Sequence, residues 1–191
     1  MNVECMPLNG VMLFTPDVFR DYRGWFMESF SEKTLQKHLG VKNKFVQENH
    51  IRSTQKGVLR GIHFQNNPVA QSKLIRCTAG QVMDYAIDLR MDSPTYLKWI
   101  CVELSADNFK QIYIPKGFGH AVVSLTDISE IQYKVDSFYS KEAERSILWK
   151  DPQLAIEWPF PDEMMILSEK DLNAPLLQDS DCSFKIKEDE L

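Results

Sequence analysis

Residues 57–65 carry an arginine and a histidine, Arg60 and His63, between short apolar side chains. A histidine titrates near neutral pH, so His63 could both take up and release a proton at working pH. Strict β alternation places Leu59 and His63 on one face of the strand. Arg60 then lies on the opposite face. Gly61 lies between them, and a glycine inside a strand often marks a bulge, which would bring both side chains to one side. The alternative is a satisfied core histidine beside a surface arginine.

Three further segments place polar groups on predicted apolar faces. Gln47 and Asn49 share a face with two hydrophobic residues, so their amides need partners, which a ligand could supply. Lys73 begins a strand and would be costly inside a barrel unless it faced an anion or a developing negative charge. Tyr133 adds a hydroxyl to a core face and could act as a general acid. The alternatives are a half-exposed sheet face, a lysine that reaches solvent, and a buried tyrosine with an ordinary hydrogen-bond partner.

Other candidates have weaker local signals. Arg23 and Glu28 flank two aromatic residues and could grip an anion and a planar ring, or be ordinary surface charges. His120 follows a turn-rich segment at the entry to a strand. Asp171 lies three residues after Ser168, which is also the spacing of a capping box at a helix start.

The histidine and cysteine positions argue against a metal centre. A metal site needs several ligands that converge, and the sequence has no His-x-His pair. Only His63 and His120 could converge, and Lys73 nearby would repel a cation. The cysteines are far apart and form no CxxC, so we expect reduced thiols in a cytosolic protein. Neither a glycine-rich phosphate loop nor a nucleophile elbow is present.

Short segments rich in β-branched and aromatic residues must position these side chains. Gly, Pro, Asn, Asp and Ser separate many of them, which predicts an antiparallel sandwich, barrel or jelly roll and disfavours a parallel sheet. Short helices are predicted at 31–39, with Ser31 as N-cap, and at 168–173, before Pro175. The predicted strands span residues 11–14, 45–52, 58–65, 73–78, 81–89, 99–104, 111–114, 121–125, 128–135 and 144–149.

The composition fits one globular domain. The chain has 191 residues, of which 43% are hydrophobic and 26% charged, and these fractions exclude a disordered or fibrous chain. The net charge of −5 disfavours a nucleic acid partner. No apolar run is long enough to span a membrane, and the first residues lack the pattern of a signal peptide. Residues 178–191 are polar and are expected to form a mobile tail after a domain at 1–177.

Taken together, nine motifs resemble the dTDP-4-dehydrorhamnose 3,5-epimerase family of cupin-like jelly rolls. Their order and spacing agree over residues 10–177, nearly the whole chain. The motifs are DYRGWFME at 21–28, QEN at 47–49, GVLRGIHFQ at 57–65, QSKL at 71–74, DLRMDSPT at 88–95, IPKGFGH at 114–120, YK at 133–134, WKDP at 149–152 and LSEKD at 167–171.

The resemblance implies a cupin-like antiparallel jelly-roll β-barrel with a few short helices. It implies a homodimer without cofactor or metal that epimerises C3 and C5 of dTDP-4-keto-6-deoxyglucose through an enolate. His63 would be the base, oriented by Asp171, while Lys73 would stabilise the enolate oxygen and Tyr133 would return a proton from the opposite face. The implied substrate-binding residues are Arg23, Glu28, Gln47, Asn49, Arg60, His120, Glu144 and Lys170.

Several positions depart from the usual family pattern. Glu48 replaces an aspartate, Leu97 and Ser146 replace glycines, and Gly119 and Ala121 exchange the small residues around His120. None of these changes removes a candidate catalytic group. They leave open a single-carbon epimerase, an epimerase of another nucleotide-linked 4-keto sugar, and a non-catalytic sugar-nucleotide binding module.

Overall fold

The short alternating segments become thirteen strands in the computed structural model, which describes residues 1–39 and 44–186. All ten predicted strands are present, with ends that shift by up to three residues. The strands are β1 (Asn2–Cys5), β2 (Met12–Thr15), β3 (Val18–Asp21), β4 (Gly24–Met27), β5 (Gln47–Ser53), β6 (Leu59–Gln65), β7 (Lys73–Ala79), β8 (Gln81–Asp88), β9 (Trp99–Ser105), β10 (Gln111–Ile114), β11 (Phe118–Ser124), β12 (Ser129–Val135) and β13 (Glu144–Ser146).

Both predicted helices are also present. α1 (Glu32–Leu39) begins after Ser31, whose side chain accepts a hydrogen bond from the Thr34 N–H at 3.3 Å. α2 (Glu169–Leu172) begins after Ser168. Single 3-10 turns lie at Asp162–Met164 and Leu177–Asp179. No helix within 1–39 or 44–186 is long and apolar enough to cross a membrane.

Eleven of the thirteen strands form two antiparallel sheets. One has six strands in the order β1-β2-β10-β7-β12-β5, and the other has five in the order β13-β6-β11-β8-β9. After β9 the chain enters the six-stranded sheet at β10, returns at β11 and crosses again at β12. This connectivity confirms the predicted mainly β fold, a cupin-like antiparallel jelly roll with a few short helices.

A hydrophobic cluster, the inter-sheet core, fills the space between the sheets. Each large apolar side chain buried there contributes about 1.5–3 kcal/mol relative to an exposed one. The buried members are Leu8, Val11, Leu13, Ile75, Cys77, Val82, Ala86, Val102, Leu104, Ile112, Ile114, Phe118, Val122 and Ile131.

Strands β3 and β4 form a separate hairpin that the sequence did not predict. Its strands leave Phe19, Trp25 and Phe26 more than half exposed, so it has no buried face and no apolar–polar alternation to detect. The hairpin turn is held by Asp21, which accepts hydrogen bonds from the backbone and side chain of Arg23.

The described part of the expected tail, 178–186, packs against the five-stranded sheet. Phe184 is 4% exposed and meets the Phe64 ring edge-on, with 5.6 Å between ring centroids. Arg145 forms an ion pair with Asp181 at 2.7 Å. The single buried aromatic residue anchors a segment whose average composition is polar, and residues 187–191 lie outside the described ranges.

Candidate active site

A cavity of about 150 Å³ opens between the two sheets. Strands β6 and β11 line it from the five-stranded sheet, and β7 and β12 line it from the six-stranded sheet. Polar side chains dominate its wall, which is unusual for the space between two packed sheets. These polar residues are Arg60, His63, Gln65, Gln71, Lys73, His120, Tyr133, Tyr139 and Glu144.

A bulge in β6 brings Arg60 and His63 to the same cavity. His63 pairs with His120 on β11, whereas Arg60 pairs with Val122, so β6 holds one extra residue in this interval. Gly61 lies in the bulge at φ +133°, and a Cβ there would come within 2.6 Å of the Ala121 Cβ. The predicted bulge is confirmed. His63 and Arg60 both line the cavity, so the alternative of a core histidine beside a surface arginine is wrong.

His63 and Asp171 form a hydrogen-bonded pair. The distance from His63 Nε2 to Asp171 Oδ1 is 2.6 Å, and the aspartate side chain is 4% exposed while the histidine remains partly open to the cavity. Burial acts to raise the pKa of Asp171, but the hydrogen bonds of His63 and Ser168 hold it below its usual value. The resulting carboxylate fixes the proton on the facing ring nitrogen and leaves the other nitrogen basic.

The capping interpretation of Asp171 is also correct in part. Its backbone N–H donates to the Ser168 Oγ at 3.2 Å, which is the helix-cap interaction at the start of α2. Its side chain does not complete a capping box and reaches His63 instead. Helix α2 therefore serves to present one carboxylate to β6.

Lys73 is buried at the inner wall of the cavity, which rules out the alternative of a strand-end lysine in solvent. It is 8% exposed, and no ion pair within 4.0 Å joins it to an acid among the described residues. Burial lowers the pKa of Lys73 to about 8, although the charges of Asp84 and Glu144 oppose this effect. Near neutral pH the cavity therefore holds an unpaired ammonium group.

Tyr133 faces the cavity from β12, on the sheet opposite to His63. Its register partner on β5 is Asn49. Burial raises the pKa of Tyr133 above its usual value, while Asn49 and the charge of Arg60 act in the other direction. The phenol is thus protonated at neutral pH and lies across the cavity from the His63–Asp171 pair.

The amides on β5 satisfy each other beside the cavity. Gln47 Nε2 donates to Asn49 Oδ1 at 2.9 Å, and Gln47 Oε1 accepts from the Tyr139 backbone N–H at 3.2 Å. Neither amide lines the cavity itself. They border it through Tyr133 and Tyr139.

At the cavity rim, Glu144 receives hydrogen bonds from two side chains. Lys170 Nζ lies 2.8 Å from its carboxylate and Tyr139 Oη lies at 3.2 Å. Burial acts to raise the pKa of Glu144, yet these contacts lower it overall. The sequence assigned no role to Tyr139, Gln65 or Gln71, although the two glutamines lie in the motifs at 57–65 and 71–74. Gln65 is the last residue of β6, and its Nε2 donates to the Phe138 carbonyl at 3.2 Å, next to Tyr139.

His120 and Arg60 are part of the cavity wall, the first as a neutral ring and the second as a charged group. His120 Nε2 lies 2.9 Å from Asp84 Oδ2, and burial lowers the pKa of His120, so the ring is neutral at pH 7. Arg60 is held by the Ser53 hydroxyl at 3.4 Å and the Arg52 carbonyl at 3.3 Å.

Arg23 and Glu28 are not brought into this cavity. Arg23 is exposed in the β3–β4 turn, and its guanidinium lies 2.6 Å from Asp21. Glu28 follows β4 and accepts a hydrogen bond from the Thr34 hydroxyl at 3.4 Å. Within the described ranges, no group of three or more His, Cys, Asp or Glu residues is arranged to hold a metal ion.

Comparison with known proteins relates this arrangement to a family. The sequence profile of the family described as dTDP-4-dehydrorhamnose 3,5-epimerase matches residues 5–179. The chain belongs to this family. A family member from Shigella flexneri, dTDP-4-dehydrorhamnose 3,5-epimerase, is 49% identical over 181 residues, covering 95% of this chain and 98% of the relative. The resemblance seen in the motifs is therefore confirmed.

Solved structures of family members share the fold. The dTDP-4-dehydrorhamnose 3,5-epimerase of Elizabethkingia anophelis NUHP1 has a TM-score of 0.89 at 44% identity, covering 94% of this chain and 97% of that chain. The dTDP-6-deoxy-D-glucose-3,5-epimerase of Legionella pneumophila Philadelphia 1, in complex with dTDP-4-keto-L-rhamnose, has a TM-score of 0.91 at 40% identity. This second comparison covers 97% and 98% of the two chains. The chain is thus an isomerase of the epimerase class.

Proposed function

We propose that the protein is a cofactor-independent 3,5-epimerase that converts dTDP-4-keto-6-deoxyglucose into the dTDP-rhamnose precursor. The observation that carries this proposal is the His63–Asp171 pair, at 2.6 Å, facing the cavity from one sheet while Tyr133 faces it from the other. Inversion of a carbon requires proton removal on one face and proton delivery on the opposite face. Two proton carriers on opposite sheets meet that requirement.

The reaction begins with proton removal beside the ketone. The basic nitrogen of His63 takes a proton from C5 or C3, and the C–H electron pair becomes the C=C bond of an enolate with its charge on the C4 oxygen. Asp171 stabilises the imidazolium that forms. The Lys73 ammonium stabilises the enolate oxygen, and loss of one such donor typically costs about 10²–10³ in rate.

The second half of the reaction restores the ketone. Tyr133 donates its proton to the carbon from the opposite face, and the electron pair returns to the C4 carbonyl. The tyrosinate is reprotonated from solvent, and His63 releases its proton. Because C3 and C5 both flank the C4 ketone, the same groups can act on each carbon in turn.

Substrate binding is proposed for the polar groups around these four residues. Arg60 and Lys170 are cations suited to a diphosphate, and the neutral ring of His120 offers its second nitrogen as an acceptor. Gln47, Asn49 and Glu144 complete the proposed binding set next to Tyr133 and Tyr139.

The exposed hairpin supports a homodimer. Arg23 and Glu28 lie outside the cavity of their own subunit, and Phe19 and Phe26 beside them are exposed. We propose that the hairpin reaches the site of a second copy of the chain, where Arg23 and Glu28 contact the nucleotide. A cytoplasmic location and a single domain whose core also includes Phe184 complete the proposal. Light scattering tests this proposal, and a monomeric mass in solution would contradict the proposed dimer.

Proton NMR of dTDP-4-keto-6-deoxyglucose in D₂O tests the reaction directly. We expect loss of the proton signals at both C3 and C5 with wild-type protein. The loss should disappear in His63→Ala and persist in His50→Ala, an exposed histidine bound to Glu130 at 3.0 Å. Exchange at one carbon would indicate a single-carbon epimerase. Absence of exchange would indicate another nucleotide sugar, or a binding module if the sugar binds tightly.

A further inference from the structure

Asp84 is a buried carboxylate to which the mechanism above gives no role. It lies on β8 and is 0% exposed. Val82 and Ala86, two residues away on either side, belong to the inter-sheet core, so alternation points Asp84 between the sheets as well. A carboxylate in such a place is costly unless hydrogen bonds or an opposite charge compensate it.

The hydrogen bonds of Asp84 are incomplete. Oδ2 lies 2.9 Å from His120 Nε2, whereas Oδ1 is buried without a hydrogen-bond partner among the described residues. Asp88, on the same strand and also 0% exposed, has both oxygens engaged by Arg90, Ser93 and Thr95. The fold thus satisfies one buried carboxylate of β8 fully and leaves the other with half of its capacity unused.

Lys73 shows the complementary deficiency on the facing sheet. It lies on β7, and Ile75 and Cys77 on the same face of that strand belong to the inter-sheet core. Its ammonium is buried without an ion pair within 4.0 Å among the described residues. Burial lowers the pKa of Lys73, and the charge of Asp84 is the largest influence in the opposite direction. A buried cation and a half-satisfied anion therefore face each other from opposite sheets.

The other charged groups around the cavity do not replace Asp84. Glu144 also favours the protonated lysine, but its carboxylate is already engaged by Lys170 and Tyr139 at the rim. Arg60 and a protonated His63 would oppose a second cation. Tyr133 stays neutral, and burial keeps His120 neutral as well.

We infer that Asp84 is a positioning residue that acts as the buried counter-charge of Lys73, keeping its ammonium protonated at the inner end of the cavity while it fixes the tautomer of His120. The inference rests on the proposed function, in which Lys73 must carry its proton when charge develops on the enolate oxygen. Asp84 then acts through Lys73 and His120 without touching the sugar.

The pH dependence of kcat/KM in Asp84→Asn tests this role. Asparagine keeps the shape and can still accept from His120, but it lacks the charge. We expect the alkaline limb of the kcat/KM profile to move to lower pH by about one unit. In the pH range of that limb, kcat/KM should fall by about tenfold, and near pH 6 it should fall by less. Asp151→Asn is the matched control. Asp151 is another buried carboxylate, bound to the Leu177 N–H at 2.7 Å outside the cavity, and its variant should keep the wild-type profile.

Carbon NMR of lysine-labelled protein without substrate gives a second readout. The Lys73 Cε signal, assigned with Lys73→Arg, should titrate near a pKa of about 8 in wild type and lower in Asp84→Asn. An unchanged titration in the variant would overturn the inference whatever the activity. A wild-type protein that does not epimerise the sugar would contradict only the proposed function. If Asp84→Asn does not fold, Asp84→Ser takes its place in both experiments. Independently of any variant, a pKa below about 7 for Lys73 in the wild type would overturn the inference.

Discussion

Replacing Asp171 by asparagine measures how much the buried carboxylate contributes to the proposed base. The aspartate oxygen lies 2.6 Å from His63 Nε2, and its side chain is 4% exposed, so water cannot substitute for it easily. Asparagine has the same shape but no charge. Its amide can still accept from the ring or, after rotation, donate to it, which would place the proton on the nitrogen that must act as base.

The expected loss follows from that contact. A hydrogen bond to a charged group contributes about 1.5–3 kcal/mol, and each 1.4 kcal/mol is tenfold in rate, so losing the stabilised imidazolium costs about 10–10². When the asparagine amide donates to His63, the ring carries its proton on the nitrogen that must act as base, and this adds to the loss. We therefore expect kcat/KM to fall by about 10²–10³ in Asp171→Asn, with little change in KM.

The assay is the rate of deuterium incorporation at C3 and C5, together with thermal unfolding of each variant. Glu169→Gln is the matched control, because it removes an exposed carboxylate from the same helix without touching His63. Exchange by folded Asp171→Asn within about threefold of wild type would refute the assigned role. An equal loss in Glu169→Gln would mean that α2 acts through its charge or stability as a whole.

Three other substitutions probe the cavity. Lys73→Met should slow epimerisation by about 10²–10³ yet raise the free energy of unfolding at pH 7 by up to about 3 kcal/mol. The pKa of Lys73 is about 8 in the folded protein and 10.5 in the unfolded chain, so the wild type gains stability as pH rises between these values. In urea titrations, the difference in free energy of unfolding between the variant and the wild type should therefore disappear above about pH 10. Tyr133→Phe should slow epimerisation more than deuterium exchange, and an equal fall in both rates would contradict its role as proton donor. Gly61→Ala should cost about 2–4 kcal/mol in urea unfolding, since its Cβ would lie 2.6 Å from Ala121 at a φ of +133°. An unchanged midpoint would mean that the bulge relaxes.

The strands that build the cavity were predictable because one face of each is buried. On β12, Ile131 enters the inter-sheet core, and the alternation that marks it also places Tyr133 on that face. The hairpin β3–β4 lacks such a face, so periodicity could not reveal it. The packed segment around Phe184 was missed for the opposite reason, since one aromatic residue is too little to alter the composition of its surroundings.

The partners of the site residues were less accessible than the residues themselves. Residue types and one glycine pointed to Arg60, His63 and a bulge. The contact between His63 and Asp171 spans 108 positions and depends on the course of the chain between β13 and α2. Only the family motifs suggested that contact, because neither alternation nor spacing relates residues so far apart.

Asp84 shows why a buried charge escapes sequence analysis altogether. An acidic residue at an inward position of a strand weakens the alternation of apolar and polar residues. The alternation therefore cannot show that the residue is buried. Its meaning depends on Lys73, which comes from the other sheet, and on His120, which the regular pairing of β11 with β8 places on the same face. The cavity thus exists because inward positions on both sheets are filled by groups that a packed core would exclude. An opposite charge or a hydrogen-bond partner near each of these groups offsets the free-energy cost of burying it. The same proximity supplies the proton chemistry proposed for the site.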